Sequence, residues 1–150
     1  KEVSRIMSLK DGSKKMSKSE LSDLSRINLT DSKDQIINKI KKAKTDPMPM
    51  PNGLKELDER PEAKNLLGIY ASLTNNTLEK SIENFSGKNF SEFKESLSEI
   101  LVNKIEPISI EIKKLLADQK YLDQILLEGV EKANLIASKK IQKIKEIVGF

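Results

Sequence analysis

Neither cysteine nor histidine occurs anywhere in the 150 residues. Without cysteine there is no disulfide scaffold and no thiolate zinc site. Without histidine there is no Ser-His-Asp or Cys-His nucleophile and no helical zinc-hydrolase motif. Any chemistry must rest on Lys, Arg, Asp, Glu and hydroxyl groups. Aromatics are equally scarce: Tyr70, Tyr121, Phe85, Phe90, Phe93 and Phe150. No aromatic-rich strand reads as a base-stacking platform. There is no apolar run of membrane-spanning length and no stretch resembling a signal peptide. Charge of one sign is only slightly in excess, 27 basic against 23 acidic residues, a net of +4. That suits contact with a polyanion without demanding it. The length supports one domain with a real core. Composition therefore describes a soluble, intracellular, mostly helical protein with no membrane association.

What is present begins with Lys15-Met16-Ser17-Lys18-Ser19. Two lysines three positions apart are interleaved with hydroxyl residues after the turn signal Asp11-Gly12. Lysines supply mobile point charges, and serines add donors while leaving backbone N–H groups accessible. That composition suits a mobile loop gripping a polyphosphate. Taken alone, the same residues also fit a solvated basic turn.

Ahead of the loop, Val3, Met7 and Leu9 suggest a short strand within residues 1–10, although Ile6 breaks the alternation. Ser25-Arg26-Ile27-Asn28-Leu29 alternates and reads as a short extended segment. From Thr30 the period becomes helical. Thr30 or Asp31 caps a helix with Ile36, Ile37, Ile40 and Ala43 inward and Lys33, Lys39, Lys41, Lys42 and Lys44 on a solvated face. Pro47, Pro49, Pro51 and Gly53 then impose an ordered or semi-extended loop. Pro61 suits the first position of a helix carrying Leu66, Leu67, Tyr70 and Leu73. Thr77 opens a short helix with Leu78, Ile82 and Phe85. Ser91 caps a longer one in which Pro107 predicts a kink. The final helix, 121–148, has Leu122, Ile125, Leu126, Val130, Ala133, Ile136, Ala137, Ile141, Ile144 and Ile147 inward and stops at Gly149.

The chain thus reads as composite and mainly α. A strand and loop, residues 1–24, precede a bundle of about five helices. A lone strand cannot stand outside a sheet. The start at Lys1 rather than Met also reads as an excised segment. Residues 1–24 are accordingly expected to be the end of a truncated Rossmann-like domain and mobile without their sheet partners. Residues 30–150 are expected to fold as one cooperative helical unit.

Four segments carry a family resemblance: Arg5-Ile6-Met7-Ser8-Leu9 with Asp11-Gly12; Lys15 to Ser19; Arg60-Pro61-Glu62-Ala63-Lys64-Asn65-Leu66-Leu67-Gly68-Ile69-Tyr70; and Glu128-Gly129-Val130-Glu131-Lys132-Ala133-Asn134-Leu135-Ile136-Ala137. The chain resembles the C-terminal part of bacterial-type tryptophanyl-tRNA synthetases, a class I aminoacyl-tRNA synthetase family. Many members follow the signature with an aspartate and a proline. Here Glu20 and Leu21 stand in those places; the charge is kept, while the helix start after the loop is put in doubt. The family's histidine-containing signature belongs to its N-terminal half, in keeping with a chain that has no histidine.

The resemblance implies a cytoplasmic ligase that uses ATP with Mg²⁺ to activate tryptophan and transfers it to tRNA(Trp), the whole enzyme being a homodimer. It assigns Lys18, then Lys15, to charge on the leaving pyrophosphate. It places Met16 and the backbone of Ser17 near the adenosine, Ser19 behind the phosphate grip, and Ile6 in the adenine pocket. No metal ligand is identified in this chain. The implied organisation is an ATP loop in 1–24, an anticodon-binding helical domain in 25–118, and a C-terminal helix, 119–150, returning toward the catalytic domain. The tryptophan pocket lies outside, so the piece alone is expected to be inactive.

Plainer readings stand beside these. Ile6 also fits a core position. The lysines of 33–44 and Lys139, Lys140, Lys143 and Lys145 fit solvated faces as well as phosphate contacts. Asp123, Glu128 and Glu131 fit helix-surface pairs. Gly129 fits close packing, and Met48 and Met50 fit either a latch or loop packing. The competing functional reading is a non-catalytic helical RNA-binding or interaction module that keeps the lysine loop as a relic.

Overall fold

A computed structural model describes residues 5–149. The expected strand has a partner within the chain. Strand β1 (Met7–Ser8) pairs antiparallel with β2 (Asp11–Lys15), in register Met7 with Lys15 and Ser8 with Asp11, and an irregularity falls between Met7 and Ser8. The turn is Leu9-Lys10, not Asp11-Gly12. The Ser8 hydroxyl closes it by accepting the Lys10 N–H at 3.2 Å.

Gly12 serves a different purpose from the turn expected of it. A Cβ at that position would sit 2.5–2.6 Å from the backbone of Pro61 and Glu62. The hairpin therefore lies directly on the first turn of the helix that starts at Pro61, a close approach only glycine allows. Asn65 fixes the same contact, accepting the Met7 N–H and donating to the Met7 carbonyl, both at 2.9 Å. Met7 and Gly12 thus tie the hairpin to that helix. Gly12→Ala is expected to cost about 1–3 kcal/mol by overpacking. Thermal unfolding should show a fall of roughly 2–4 °C per kcal/mol for a chain of this size.

Helix α1 (Lys33–Lys41) starts one residue later than an Asp31 cap would give and two later than a Thr30 cap would give. Ser32 is its cap and forms a full capping box with Gln35. Asp31 is drawn away from the capping role because its carboxylate accepts from Lys39 at 2.7 Å. Ile36, Ile40 and Ala43 are buried as expected, while Ile37 is exposed. Lys39, read from its position as solvated, is buried.

The proline loop is ordered by Arg60. Its guanidinium grips Asp46 with two bonds, Nε–Oδ2 at 2.9 Å and a terminal nitrogen to Oδ1 at 2.7 Å, and that nitrogen also reaches the Pro49 carbonyl at 2.8 Å. Met50 is core, not a latch; Met48 is exposed. A short helix α2 (Leu54–Leu57), not expected from the sequence, follows.

Helix α3 (Pro61–Thr74) has Pro61 in its first turn and closes on Asn75 in the left-handed region, φ 56°. Helix α4 (Leu78–Phe85) is capped by Thr77, whose side chain accepts the Lys80 N–H. Helix α5 (Phe90–Ala117) carries Pro107 inside it. Its first turn is capped by Asn89, which accepts the Glu92 N–H at 2.9 Å, rather than by Ser91. Helix α6 (Gln119–Val148) is capped by Asp118 and ends at Gly149, φ 85°.

The described fold is mainly helical with one small two-stranded sheet. It divides into two compact units, residues 1–109 and 110–150. In the first unit the core joins Leu9, Ile36, Ile40, Met50, Leu57, Leu66, Leu67, Ile82, Phe93 and Leu97. Phe85 stacks edge-on with Phe93 at 4.9 Å and with Tyr70 at 5.0 Å. In the second unit no α6 residue is buried. Its regular apolar stripe, expected inward, stays uncovered among the described residues, and Gly129 faces open space rather than close packing. No described helix is long and apolar enough to cross a membrane.

Candidate functional site

Hairpin and loop form one site because three backbone bonds hold their roots. The Met16 N–H donates to the Ile6 carbonyl at 3.2 Å, carrying the pairing past β2 and setting Ile6 opposite Met16. The Leu9 N–H donates to the Ser25 carbonyl at 2.9 Å, and the Lys44 N–H donates to the Leu9 carbonyl at 2.7 Å. Leu9, buried at the turn, therefore fixes both the far end of the lysine loop and the end of α1.

Between the roots a groove of about 750 Å³ opens. One part of its lining is apolar: Ile6, Met16, Ile27 and Leu29. The other is cationic: Arg5, Lys15, Lys18 and Arg26, with Ser17 and Asn28 as neutral polar groups. Among the described residues no carboxylate lines it. Its volume is that of a small-molecule or nucleotide site. An apolar wall beside four cations suits a flat, weakly polar ring joined to a polyanion.

Five of the six expected site residues meet here: Ile6, Lys15, Met16, Ser17 and Lys18. Lys15 and Lys18 are exposed and Met16 is half-buried against the core. Ser19 does not line the groove; its hydroxyl lies 2.9 Å from that of Ser17, which also accepts the Ser19 N–H at 3.3 Å. Ile6 is 45% exposed, which sets aside the core reading. Arg26, Ile27, Asn28 and Leu29 were not expected at the site. Their alternating pattern signalled extended backbone, but the pairing that brings them beside residues 15–18 is not visible in local sequence. A smaller cavity of about 290 Å³, lined by both lysines and carboxylates, lies against Lys15 and Ser17.

Behind the groove sits a buried charge cluster. Lys39 Nζ contacts Asp31 at 2.7 Å and Asp23 at 2.6 Å, with the Lys39 and Asp31 side chains only 4% and 5% exposed. Asn28 donates from its side chain to Asp23 at 2.9 Å and from its backbone to Asp31 at 2.8 Å. Hydrogen bonds from Lys39 and then Asn28 hold the Asp23 carboxyl below its ordinary range. On the other side of the hairpin, the Lys44 ammonium, 2.8 Å away, holds the Glu62 carboxyl down. Lys94 donates to the carbonyls of Ala43, at 2.7 Å, and Lys41, so α5 caps the end of α1; burial lowers its ammonium pKa.

Comparison with known proteins places the chain in a family. The family described as tRNA synthetases class I (W and Y) matches residues 3–105, which include the hairpin, the lysine loop and both walls of the groove. The chain belongs to that family. Among its relatives, the tryptophan–tRNA ligase of Agrobacterium fabrum is 51% identical over 146 residues, covering 97% of this chain and 41% of that protein. The tryptophan–tRNA ligase of Rickettsia felis is also 51% identical, over 97% of this chain and 44% of its own length. The chain thus spans about two fifths of the relatives it matches. The tryptophanyl-tRNA synthetase structure from Mycoplasma pneumoniae aligns with a TM-score of 0.65 at 27% identity, over 97% of this chain and 45% of that one. That from Campylobacter jejuni shares the fold, with a TM-score of 0.74 at 23% identity, over 99% and 44%.

Proposed function

We propose that this chain supplies the ATP loop and the anticodon-binding helices of a tryptophan–tRNA ligase. The observation that carries the reading is the groove: four cations and an apolar wall converge there, inside the segment that matches the family.

Activation joins a tryptophan carboxylate oxygen to the α-phosphorus of ATP and breaks the bond to the bridging oxygen, releasing pyrophosphate. The aminoacyl group then passes from the adenylate to a hydroxyl of tRNA(Trp), breaking the acyl–phosphate bond and releasing AMP. Catalysis of the first step is positioning plus stabilisation of charge growing on the leaving group. Lys18 takes that charge, with Lys15 second. Ile6 and Met16 face the adenine and the Ser17 backbone bonds near the adenosine. Ser19 acts from behind, holding Ser17. The loop closes over bound ATP as catalytic lids do. Mg²⁺ would arrive with ATP and would help to neutralise the phosphate charge. None of the described residues is assigned to hold the ion. The helices of residues 25–118 serve the anticodon, and the tryptophan pocket and dimer contacts belong to the rest of the enzyme.

The test is ATP–pyrophosphate exchange by the whole enzyme with tryptophan or tyrosine. Exchange that depends on tryptophan alone is the expected result. Exchange with tyrosine alone overturns the specificity. Exchange with neither returns weight to the non-catalytic module.

A further inference from the structure

The lysine loop has few attachments of its own. From Ser17 to Leu21 its side chains stand in solvent, Leu21 completely so. The bonds inside the stretch are local ones between Ser17 and Ser19. Among the described residues, one side chain from outside reaches its backbone: a terminal nitrogen of Arg26 donates to the Glu20 carbonyl at 2.9 Å.

Arg26 is itself held on two further sides. Its other terminal nitrogen lies 3.0 Å from Asp23 Oδ1, and its Nε donates to Asn28 Oδ1 at 3.3 Å. The side chain is 18% exposed. Asp23 is in turn held by the buried Lys39, which α1 carries. A continuous chain of charge-assisted bonds therefore runs from the rigid helix through Lys39, Asp23 and Arg26 to the loop carbonyl two residues beyond Lys18.

We propose that Arg26 is a positioning residue that anchors the C-terminal root of the lysine loop and so sets where Lys18 stands. The role rests on the proposed ATP function of the loop. It uses the planar fork of the guanidinium, which meets Asp23, Asn28 and the Glu20 carbonyl at once. A lysine offers one compact charge and cannot hold all three. The role differs from a direct phosphate contact, for which a lysine would serve in part.

Two measurements on the whole enzyme test this. The first needs no activity: digestion by a lysine-specific endoproteinase, with the cut after Lys18 read by mass spectrometry and the extra site that Arg26→Lys adds after residue 26 scored separately. Arg26→Ala and Arg26→Lys should both raise cleavage after Lys18 by about fivefold or more, because cleavage tracks the detached population of the loop. Cleavage after Lys64 and the melting temperature should not move. Unchanged cleavage after Lys18, or a rise at both sites together, overturns the anchor. The second is exchange kinetics. Arg26→Ala should raise the KM for ATP by roughly tenfold with a smaller change in kcat, as expected when the competent loop is less populated, and Arg26→Lys should not rescue it. Rescue by lysine overturns positioning in favour of direct contact. If the wild type shows no tryptophan-dependent exchange, the ligase reading fails while the digestion still decides the anchor.

Discussion

Lys39→Met should destabilise the protein by about 3–5 kcal/mol, the range for breaking a buried ion pair from one side. Lys39 and Asp31 are almost wholly out of water, and the Asp23 carboxylate leans on the same ammonium. Methionine fills much of the lysine volume, so the loss is electrostatic rather than a cavity. Asp31 would keep the Asn28 N–H and side-chain donors but lose its counter-charge. The double variant Lys39→Met, Asp31→Asn should recover part of the loss. It removes the orphaned charge and keeps an acceptor for Asn28. Denaturant unfolding of the wild type and these two variants measures this. A single-variant loss below about 1 kcal/mol, the scale of exposed pairs, would mean that the cluster behaves as surface charge.

This cluster also marks where the sequence stops being readable. Local signals were sound where one residue decides locally: Pro61 in the first turn of α3, Thr77 capping α4, Gly149 closing α6. They failed where a distant partner decides. Lys39 lies among lysines that helical spacing places outward, but Asp23 and Asp31, eight and more positions earlier, make its burial possible. The same bond removes Asp31 from capping and passes that role to Ser32. Gly12 looks like turn chemistry until Pro61, far along the chain, is seen against it.

The site divides in the same way. Lys15, Met16, Ser17 and Lys18 were legible as a contiguous motif, and Ile6 through the family resemblance. Arg26 to Leu29 join the lining because the Leu9 N–H bonds to the Ser25 carbonyl and brings the two stretches together. The stripe along α6 was legible as amphipathic, yet periodicity says only that a face is apolar, not what covers it. None of α6 is buried among the described residues.

Lys18→Ala has the largest expected effect on activity. Lys18 is exposed on the loop, lines the cationic side of the groove and takes part in no ion pair among the described residues. Its removal should therefore leave stability nearly unchanged, within about 0.5 kcal/mol, as for surface substitutions generally. Its proposed work is confined to charge that develops on the leaving pyrophosphate. Removing one such preorganised donor costs about 10²–10³ in kcat. Tryptophan-dependent ATP–pyrophosphate exchange by the whole enzyme, wild type beside Lys18→Ala, is the most direct test of the account. A loss of that size in kcat at an unchanged melting temperature is the predicted result. Exchange that continues at the wild-type rate without the Lys18 ammonium would contradict the loop's assignment as the phosphate grip.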